Sequence, residues 1–317
     1  MSYYDDGTVR LLLGDALEQM QTLEDGSVDC IVTSPPYFGL RDYGTEGQYG
    51  IEASPAEYVE TMRRLFAEAR RVLAADGTLW LNLGDSYVCS PKGSESKTDG
   101  LVGRSNHLTT PAGSGGKNGG GLAAKQLLGI PWRTAFALQD DGWILRNEII
   151  WHKPNAMPES VRDRLSNRHE HLFMFAKKPQ YWFDLDAIRE PLAAPERKAG
   201  ARAFRARDLN HARTATGAYT GPDITRGRNP GDIWEIATRP YPAAHFAVFP
   251  IDLPTRCIKA GCKPGGTVLD PFSGSGTSGA AARQLGRKYI GIDLNPAYHE
   301  LAKQRFAQGV LEFGEAS

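Results

Sequence analysis

Residues 267–293, TVLDPFSGSGTSGAAARQLGRKYIGID, decide the fold class of this 317-residue chain. Thr267–Asp270 predict a buried strand, and the glycine-rich segment 271–277 predicts a turn that leads into a short helix. Tyr289–Asp293 predict the next strand, which again ends in an acidic residue. A strand, a glycine-rich turn, a helix and a second strand form a nucleotide-binding unit, because the glycines let the backbone approach a ligand and the second acid can accept hydrogen bonds from ribose hydroxyls.

The acid at the end of the first strand restricts the ligand. Gly274, Gly276 and Gly279 match the dinucleotide pattern GxGxxG, which is a weak signal by itself. Asp270 would repel a pyrophosphate, but it could meet a cationic amino-acid group. A ligand with adenine, ribose and a charged amino-acid tail therefore fits better than NAD, and S-adenosylmethionine is that ligand.

A second motif, TSPPY at residues 33–37, follows the apolar run Val28–Val32. Two prolines fix φ twice and remove two amide donors, so the chain makes a stiff corner at the carboxyl end of a strand. The hydroxyl of Ser34 and a carbonyl of Pro35 or Pro36 can accept the two N–H bonds of a planar amine, and Tyr37 can stack on a base. The simpler alternative is a proline-terminated core strand whose tyrosine lies in the hydrophobic layer.

Alternating strands and helices surround these motifs and predict a mainly parallel sheet with ligand sites at the carboxyl ends of its strands. The predicted strands besides those named above are Val9–Leu13, Thr78–Leu83, Trp143–Trp151 and His169–Lys177, the last two as an antiparallel pair. Asp15 follows the first strand, where it is either a ligand contact or the N-cap of the next helix.

Two segments differ in composition from the rest. Residues 89–121 are rich in Ser, Gly, Lys and Asn and predict a long mobile loop. Residues 197–228 contain eight basic and two acidic side chains, which is the electrostatic pattern of a phosphate-binding surface, although a solvated surface loop has the same composition.

Composition excludes several classes. Lys plus Arg and Asp plus Glu both total 37, so the net charge does not indicate a nucleic-acid partner. The chain has no apolar run that could span a membrane, residues 1–10 lack the basic start and apolar stretch of a signal peptide, and the four cysteines lack the spacing of a metal site. These features predict a cytoplasmic protein with reduced thiols and without a structural metal.

The order TSPPY, then DPFSGSGT, resembles the β-class DNA amino-methyltransferases, which methylate cytosine N4 or adenine N6. The resemblance covers nearly the whole chain and implies a seven-stranded, mostly parallel α/β sheet with helices on both faces, a Rossmann-like methyltransferase fold. It implies a catalytic half at 1–157, a target-recognition insertion at 158–241 and a cofactor half at 242–317. It also implies a bacterial or phage origin and duplex DNA as the substrate.

The resemblance assigns site residues as well. The catalytic residues would be Ser34, Pro35, Pro36 and Tyr37, and S-adenosylmethionine would be held by Asp15, Pro250, Asp270, Phe272, Gly274, Ser275, Gly276, Thr277 and Asp293. Candidate DNA contacts are Arg41, Lys153, Arg197, Lys198, Arg202, Arg205, Arg207, Arg213, Arg226 and Arg228.

Serine at the start of the catalytic motif is more typical of cytosine-N4 enzymes, so N4 methylation is favoured and adenine N6 is the alternative. Methylation of RNA or of a protein glutamine, and a catalytically silent DNA-binding regulator, remain open. Cytosine C5 methylation needs a thiolate nucleophile, and no Pro-Cys pair is present. A restriction endonuclease would be a separate chain, because no nuclease constellation appears; neither its existence nor a homodimer follows from the sequence.

Overall fold

The computed structural model describes residues 2–40, 47–88, 119–191, 227–239 and 249–312, with side chains up to residue 307. The chain divides into two compact units, one formed by residues 1–183 and 232–317 and one by Asp184–Gly231. The strands are β1 Tyr4–Asp5, β2 Val9–Leu13, β3 Val28–Thr33, β4 Leu73–Leu83, β5 Ile144–His152, β6 His169–Ala176, β7 Ile233–Glu235, β8 Thr267–Asp270 and β9 Lys288–Asp293. The helices are α1 Ala16–Gln21, α2 Pro55–Val72, α3 Ile130–Asp140, α4 Asp252–Gly261, α5 Thr277–Gln284 and α6 Pro296–Glu312.

The strands form one sheet in the order β1-β2-β9-β8-β3-β4-β6-β5-β7. All seven predicted strands are present, so the predicted fold class is confirmed. Within the described part of the chain the sheet has nine strands instead of seven, because the short strands β1 and β7 extend its two edges. Five of the eight pairings are parallel, and β6 is antiparallel to both of its neighbours, as predicted for the β5–β6 pair.

This topology brings the carboxyl ends of seven strands to one edge of the sheet, which we call the carboxyl rim. The strands that end there are β2, β9, β8, β3, β4, β5 and β7, whereas the antiparallel β6 begins there. The connections leave β3 and β8 in opposite directions along the sheet, so these two neighbouring strands form the topological switch point. Ligands of open α/β sheets bind at such a point.

Helices cover both faces of the sheet. Helix α2 contacts α1 and α3, and helix α5 contacts α4 and α6, which gives two separate layers. Alternate residues of β4 face the two layers: Leu79 and Leu81 belong to the core cluster of α2, and the hydroxyl of Thr78 donates to the Gly261 carbonyl of α4 (2.9 Å).

Local sequence explains the helix boundaries. Ser54 caps α2 by accepting from the Glu57 amide (3.2 Å), with Pro55 in the first turn, as the sequence predicts. The sequence predicts that Asp76 and Gly77 end this helix, but α2 ends at Val72, and β4 begins directly at Leu73 and includes both residues. No helix in the described part of the chain has the length and hydropathy needed to cross a membrane.

The smaller unit lies in sequence within the predicted target-recognition insertion. Its described residues form a short helical turn at Asp186–Ile188 and a bridge between Glu190 and Arg228. The two bridged residues also form an ion pair at 3.2 Å.

Candidate active site

The two sequence motifs meet on adjacent strands of the carboxyl rim. Strand β3, which leads into TSPPY, pairs in parallel with β8, which leads into the glycine-rich turn. The hydroxyl of Thr33 donates to Oδ1 of Asp270 (2.7 Å), and both residues are buried. Residues separated by 237 positions are therefore joined by a direct hydrogen bond, and the two motifs lie side by side at the carboxyl rim.

Asp270 connects the two motifs. Its Oδ2 accepts from the Ser278 hydroxyl of α5 (2.7 Å), and its Oδ1 also accepts from the Phe272 amide (3.1 Å). Burial raises the pKa of Asp270 to about 6, although these donors and Thr33 act in the opposite direction. The carboxyl group thus holds the catalytic motif, the glycine-rich turn and helix α5 in one arrangement.

The catalytic motif is held by a polar cluster, which we define as Ser34, Tyr37, Asn82, Lys153 and Glu170. The Ser34 hydroxyl donates to the Tyr37 hydroxyl (3.2 Å), which in turn donates to Oε2 of Glu170 (2.6 Å). Nδ2 of Asn82 lies 2.7 Å from the same carboxylate oxygen, 2.8 Å from the Tyr37 hydroxyl and 3.4 Å from Oγ of Ser34. Two strands, β4 through Asn82 and β6 through Glu170, therefore fix the positions of groups in the TSPPY motif.

Charge in this cluster is compensated. Burial opposes ionisation of Glu170, but Lys153 and the donors Tyr37 and Asn82 outweigh that effect, so the pKa of Glu170 lies below its ordinary value. The ammonium of Lys153 forms an ion pair with Glu170 and lies 4.5 Å from the ring centroid of Trp151. Burial and the neighbouring Glu170 charge hold the pKa of Tyr37 well above its ordinary value, so its hydroxyl stays protonated and donates.

The backbone of the corner is also supported. The hydroxyl of Tyr58 on α2 donates to the Pro36 carbonyl (3.0 Å). The Tyr37 ring packs against Gly84, where an added Cβ would lie 2.6 Å from a ring carbon. Gly84 follows β4 directly, so the end of that strand both provides a surface for the ring and, through Asn82, anchors its hydroxyl.

The glycine-rich turn 271–277 has two residues with left-handed backbone conformations. Gly276 has φ of +76°, and an added Cβ would lie 2.8 Å from Cβ of Ala302 on α6. Gly274 has φ of +49°, and an added Cβ would meet nothing within 4 Å. Gly276 is thus required by packing as well as conformation, whereas Gly274 faces open space that a ligand can enter.

Asp293 closes the turn from the next strand. Its Oδ2 accepts from the Gly274 amide (2.9 Å), and its Oδ1 accepts from the Asn295 amide (2.8 Å). Burial raises the pKa of Asp293 to about 6 in spite of both bonds. A carboxylate at this position remains able to accept further hydrogen bonds, since each of its oxygens has a second lone pair.

Asp15 and Phe272 are brought together by a residue that the sequence analysis did not identify. The hydroxyl of Tyr49 donates to Oδ2 of Asp15 (2.7 Å), and the Tyr49 ring meets the Phe272 ring edge-on at 5.3 Å. Asp15 also caps α1 by accepting from the Glu18 amide (3.0 Å). Both interpretations of Asp15 are therefore compatible with the structure: it caps a helix and lines the rim beside Phe272.

The residues present fit S-adenosylmethionine. The open space at Gly274 admits a ligand close to the backbone, and the Asp293 carboxylate at the end of β9 suits ribose hydroxyls. Asp270, on the adjacent strand, is buried, and both of its oxygens already accept hydrogen bonds from the protein. The hydroxyl of Ser275 is buried and has no hydrogen-bond partner among the described residues. Because buried polar groups are normally hydrogen-bonded, this hydroxyl can bond to a polar group of a ligand. Pro250 is buried just before α4, and its carbonyl accepts from the Leu253 amide (3.0 Å).

Only two of the candidate DNA contacts, Lys153 and Arg228, lie in the part of the chain that the structure describes. Lys153, a candidate DNA contact, is bound to Glu170, and Arg228 is paired with Glu190. The remaining candidate DNA contacts lie outside the described residues, namely Arg41, Arg197, Lys198, Arg202, Arg205, Arg207, Arg213 and Arg226, as does most of the predicted loop 89–121. The sequence analysis did not identify Asn82 or Glu170. The one available signal was for Asn82, which is a polar residue inside the buried run of β4.

Comparison with known proteins agrees with this geometry. The family model for N6/N4 methyltransferases, described as DNA methylase, matches residues 28–304. Type II methyltransferase M.SmaI of Serratia marcescens is 44% identical over 296 residues, which are 93% of this chain and 90% of that protein. Type II methyltransferase M.Cfr9I of Citrobacter freundii is 44% identical over 297 residues, which are 93% of this chain and 86% of that protein.

Solved structures share the fold. The cytosine-N4-specific PvuII DNA methyltransferase aligns with a TM-score of 0.63 and 19% identity, over 95% of this chain and 86% of its own. The Thermus thermophilus protein TTHA0409, complexed with S-adenosyl-L-methionine, aligns with a TM-score of 0.57 and 24% identity, over 94% of this chain and 93% of its own. The chain belongs to the N6/N4 family of DNA methylases, which use S-adenosylmethionine to methylate an exocyclic amine of a DNA base.

Proposed function

We propose that this protein methylates the exocyclic N4 amine of cytosine at a specific sequence in duplex DNA. The observation that carries the proposal is the Thr33–Asp270 hydrogen bond, which holds the amine-binding corner beside the glycine-rich turn. A methyl donor in the turn and an amine at the corner would then be neighbours, and positioning of this kind supplies much of the rate of a bimolecular transfer.

Cytosine is favoured over adenine because the corner begins with Ser34. A neutral hydroxyl in this position is typical of the cytosine-N4 enzymes that the sequence resembles. The alternative, adenine N6, uses the same fold and the same type of corner, so the modified base itself has to be measured.

The corner is suited to activate a poor nucleophile. Ser34 would accept one N–H bond of the amine, and because the Pro36 carbonyl already receives the Tyr58 hydroxyl, the Pro35 carbonyl is the candidate for the other. These acceptors would draw the amine out of conjugation and stabilise the positive charge that develops on the nitrogen during attack. Tyr37 is only partly buried, and the ring face away from Gly84 would stack on the flipped base.

The proposed cofactor residues divide into two groups. Asp293 would accept from ribose hydroxyls, and Asp15 and Phe272 would line the adenine side together with Tyr49. The remainder of S-adenosylmethionine would contact the turn at Gly274, Ser275, Gly276 and Thr277, with Asp270 and Pro250 beneath it. When bound, S-adenosylmethionine supplies a methyl group activated by a sulfonium, so this mechanism needs no covalent enzyme intermediate.

The DNA-binding parts of the proposal rest on charge and chain position. Segment 158–241 would read the target sequence, and the basic residues between 197 and 228 would contact the phosphates. A base inside a duplex is inaccessible to the corner, so the target must leave the stack at a cost of a few kcal/mol.

Single-molecule sequencing of DNA from cells that express the protein tests this function, because it reports the modified base and its context together. We expect N4-methylcytosine in one sequence context, and no modification in cells that express Ser34→Ala. N6-methyladenine would overturn the assignment of the base. Unmodified DNA, together with labelled methyl transfer to RNA or protein in vitro, would overturn the DNA substrate.

A further inference from the structure

The segment between β5 and β6, residues 153–168, contributes only Lys153 to the site described above, and its residues 158–168 belong to the segment proposed to read the target sequence. We propose that this 153–168 loop is the DNA wedge of the enzyme: Leu165 enters the base stack at the target site and keeps the flipped base from returning. The proposal rests on the proposed function, since only an enzyme that acts on a base in duplex DNA needs a wedge.

The loop starts and ends at the polar cluster. Strand β5 ends at the carboxyl rim, and Lys153, the next residue, pairs with Glu170, which lies at the start of β6. The polar cluster of Ser34 and Tyr37 therefore lies directly below the two ends of the loop. A duplex that delivers a base to Tyr37 would therefore come close to this loop.

The loop is braced internally. Its partly buried Arg164 pairs with Glu159 (2.7 Å) and donates to the Leu165 carbonyl (2.9 Å), and Glu159 also accepts from the Asn167 amide (3.2 Å). At the loop's carboxyl end, the guanidinium of Arg168 donates to the Pro154 carbonyl (2.7 Å). The backbone on both sides of Leu165 is thus fixed by side chains of the loop itself.

Further contacts attach the loop to the segment that follows β4. The Arg164 guanidinium lies 4.2 Å from the ring centroid of Tyr87, and Lys125 pairs with Asp163 (2.6 Å). Tyr87 lies three residues after Gly84, the glycine on which Tyr37 packs. The position of the loop is therefore set relative to the catalytic corner.

Leu165 protrudes from this braced backbone. Its side chain is 90% exposed, and that of Met157 in the same loop is 76% exposed. Two exposed cations flank Leu165, Arg162 and Arg168, and in the described part of the chain Arg162 forms no ion pair. An exposed apolar side chain between cations suits a duplex, because cations neutralise phosphates and leucine or methionine wedges insert between base steps.

The test uses a duplex that carries the methylated sequence, once sequencing has identified it, and the same duplex with an abasic site opposite the target. On the matched duplex we expect Leu165→Ala to lower kcat/KM by about tenfold or more, because unstacking the target is then unassisted. On the abasic duplex the target has no base-pairing partner, and the variant should stay within about twofold of wild type. Leu165→Met, which keeps an apolar side chain of similar size, should restore activity on the matched duplex.

Phe183→Ala is the matched control. Phe183 is also an exposed apolar residue, but the neighbouring Trp182 amide donates to Asp76 near the start of β4, at the opposite edge of the sheet. This variant should act like wild type on both duplexes. Thermal unfolding and S-adenosylmethionine binding by each variant separate a wedge defect from misfolding.

Two results would overturn the wedge: wild-type kcat/KM of Leu165→Ala on the matched duplex, or an equal loss on both duplexes. A wild-type protein that methylates neither duplex would instead contradict the proposed function. The wedge would fall with it, because a wedge requires a target base in duplex DNA.

Discussion

The catalytic corner and the glycine-rich turn meet at one hydrogen bond, but they are built in different ways. The turn is held through its own backbone amides: the Gly274 amide donates to the Asp293 carboxylate, only 19 residues later, and left-handed glycines shape the rest. The corner is held by side chains that come from distant strands, with Asn82 lying 48 residues after Ser34 and Glu170 lying 133 residues after Tyr37.

The two constructions suit two different proposed tasks, which are cofactor binding for the turn and orientation of the reacting amine for the corner. A backbone cradle presents amides and open space to a ligand and tolerates little substitution, whereas a side-chain cluster tunes the polarity of one hydroxyl and one ring. Substitutions in the corner should therefore change turnover with the cofactor still bound, and substitutions in the turn should change cofactor binding first.

The largest expected effect is at Ser34. Ser34→Ala would remove the proposed side-chain acceptor of the amine, and loss of one such group typically costs about 100-fold or more in kcat. The dissociation constant for S-adenosylmethionine should change by less than about twofold, because the turn is untouched. Single-turnover transfer of labelled methyl groups and calorimetric cofactor binding measure the two quantities.

Ser54→Ala is the control for that substitution. It removes the same atom from the N-cap of α2, which should cost about 1 kcal/mol of stability and leave kcat unchanged. If Ser34→Ala retained full methylation, Ser34 would not be the amine acceptor.

The next effect is at Asp293. Asp293→Asn should raise the dissociation constant of S-adenosylmethionine by about tenfold or more, because a hydrogen bond to a charged acceptor contributes about 1.5–3 kcal/mol. Since its pKa is about 6, wild-type binding should weaken as the pH falls from 7 to 5, and the variant should lose part of that pH dependence. Calorimetric titrations across this range measure it.

The expected weakening of S-adenosylmethionine binding at low pH cannot result from unfolding caused by protonation of Asp270 and Asp293. The pKa values of Asp270 and Asp293 in the folded state lie above the ordinary value of 3.8, so their contribution to stability is greatest at acidic pH and is lost as the pH rises through 6. An unchanged affinity of Asp293→Asn at pH 7 would remove Asp293 from the cofactor site.

A smaller effect is expected at Glu170. Glu170→Gln leaves Lys153 without its counter-ion and disturbs the bonds to Tyr37 and Asn82, so kcat should fall by about tenfold with unchanged cofactor affinity. Glu148→Gln is the control, because Glu148 binds Nδ1 of His171 on the neighbouring strand and has no contact with the corner in the described structure. Equal kcat values for the two variants would show that the cluster does not position Tyr37.

The smallest effect separates two glycines of the turn. Gly274→Ala and Gly276→Ala should each cost about 1 kcal/mol for the left-handed backbone, and Gly276→Ala should cost more because its Cβ would lie 2.8 Å from Ala302. Gly274→Ala should mainly weaken cofactor binding, since its methyl group enters open space. Chemical denaturation and cofactor titration compare them, and a reversed order of stability would contradict this account of the turn.

The same contrast explains what the sequence could predict. Seven strands were predictable because their apolar runs are long enough to show a pattern, whereas β1 and β7, of two and three residues, are too short to give one. The turn was predictable because Gly274 and its partner Asp293 lie close in sequence. Glu170 was not, because nothing near it in the chain indicates that Tyr37 and Lys153 will be its neighbours.

Asp15 shows a further limit. Its sequence context indicated either a helix cap or a ligand contact, and the structure shows the cap together with a Tyr49 bond at the rim. A loop residue such as Tyr49 gives no periodic signal, so only the folded chain shows that it joins Asp15 to Phe272.

The pairing of β3 with β8 has a consequence for synthesis of the protein. A nascent chain that has left the ribosome only as far as residue 266 already contains Ser34, Tyr37 and Glu170, but Thr33 has no Asp270 to bind and β3 lacks a neighbour on one side. Truncated translation products would therefore lack the proposed cofactor turn and the hydrogen bond that joins it to the corner. Methylation capacity in a cell depends on completed chains, not on the amount of early polypeptide.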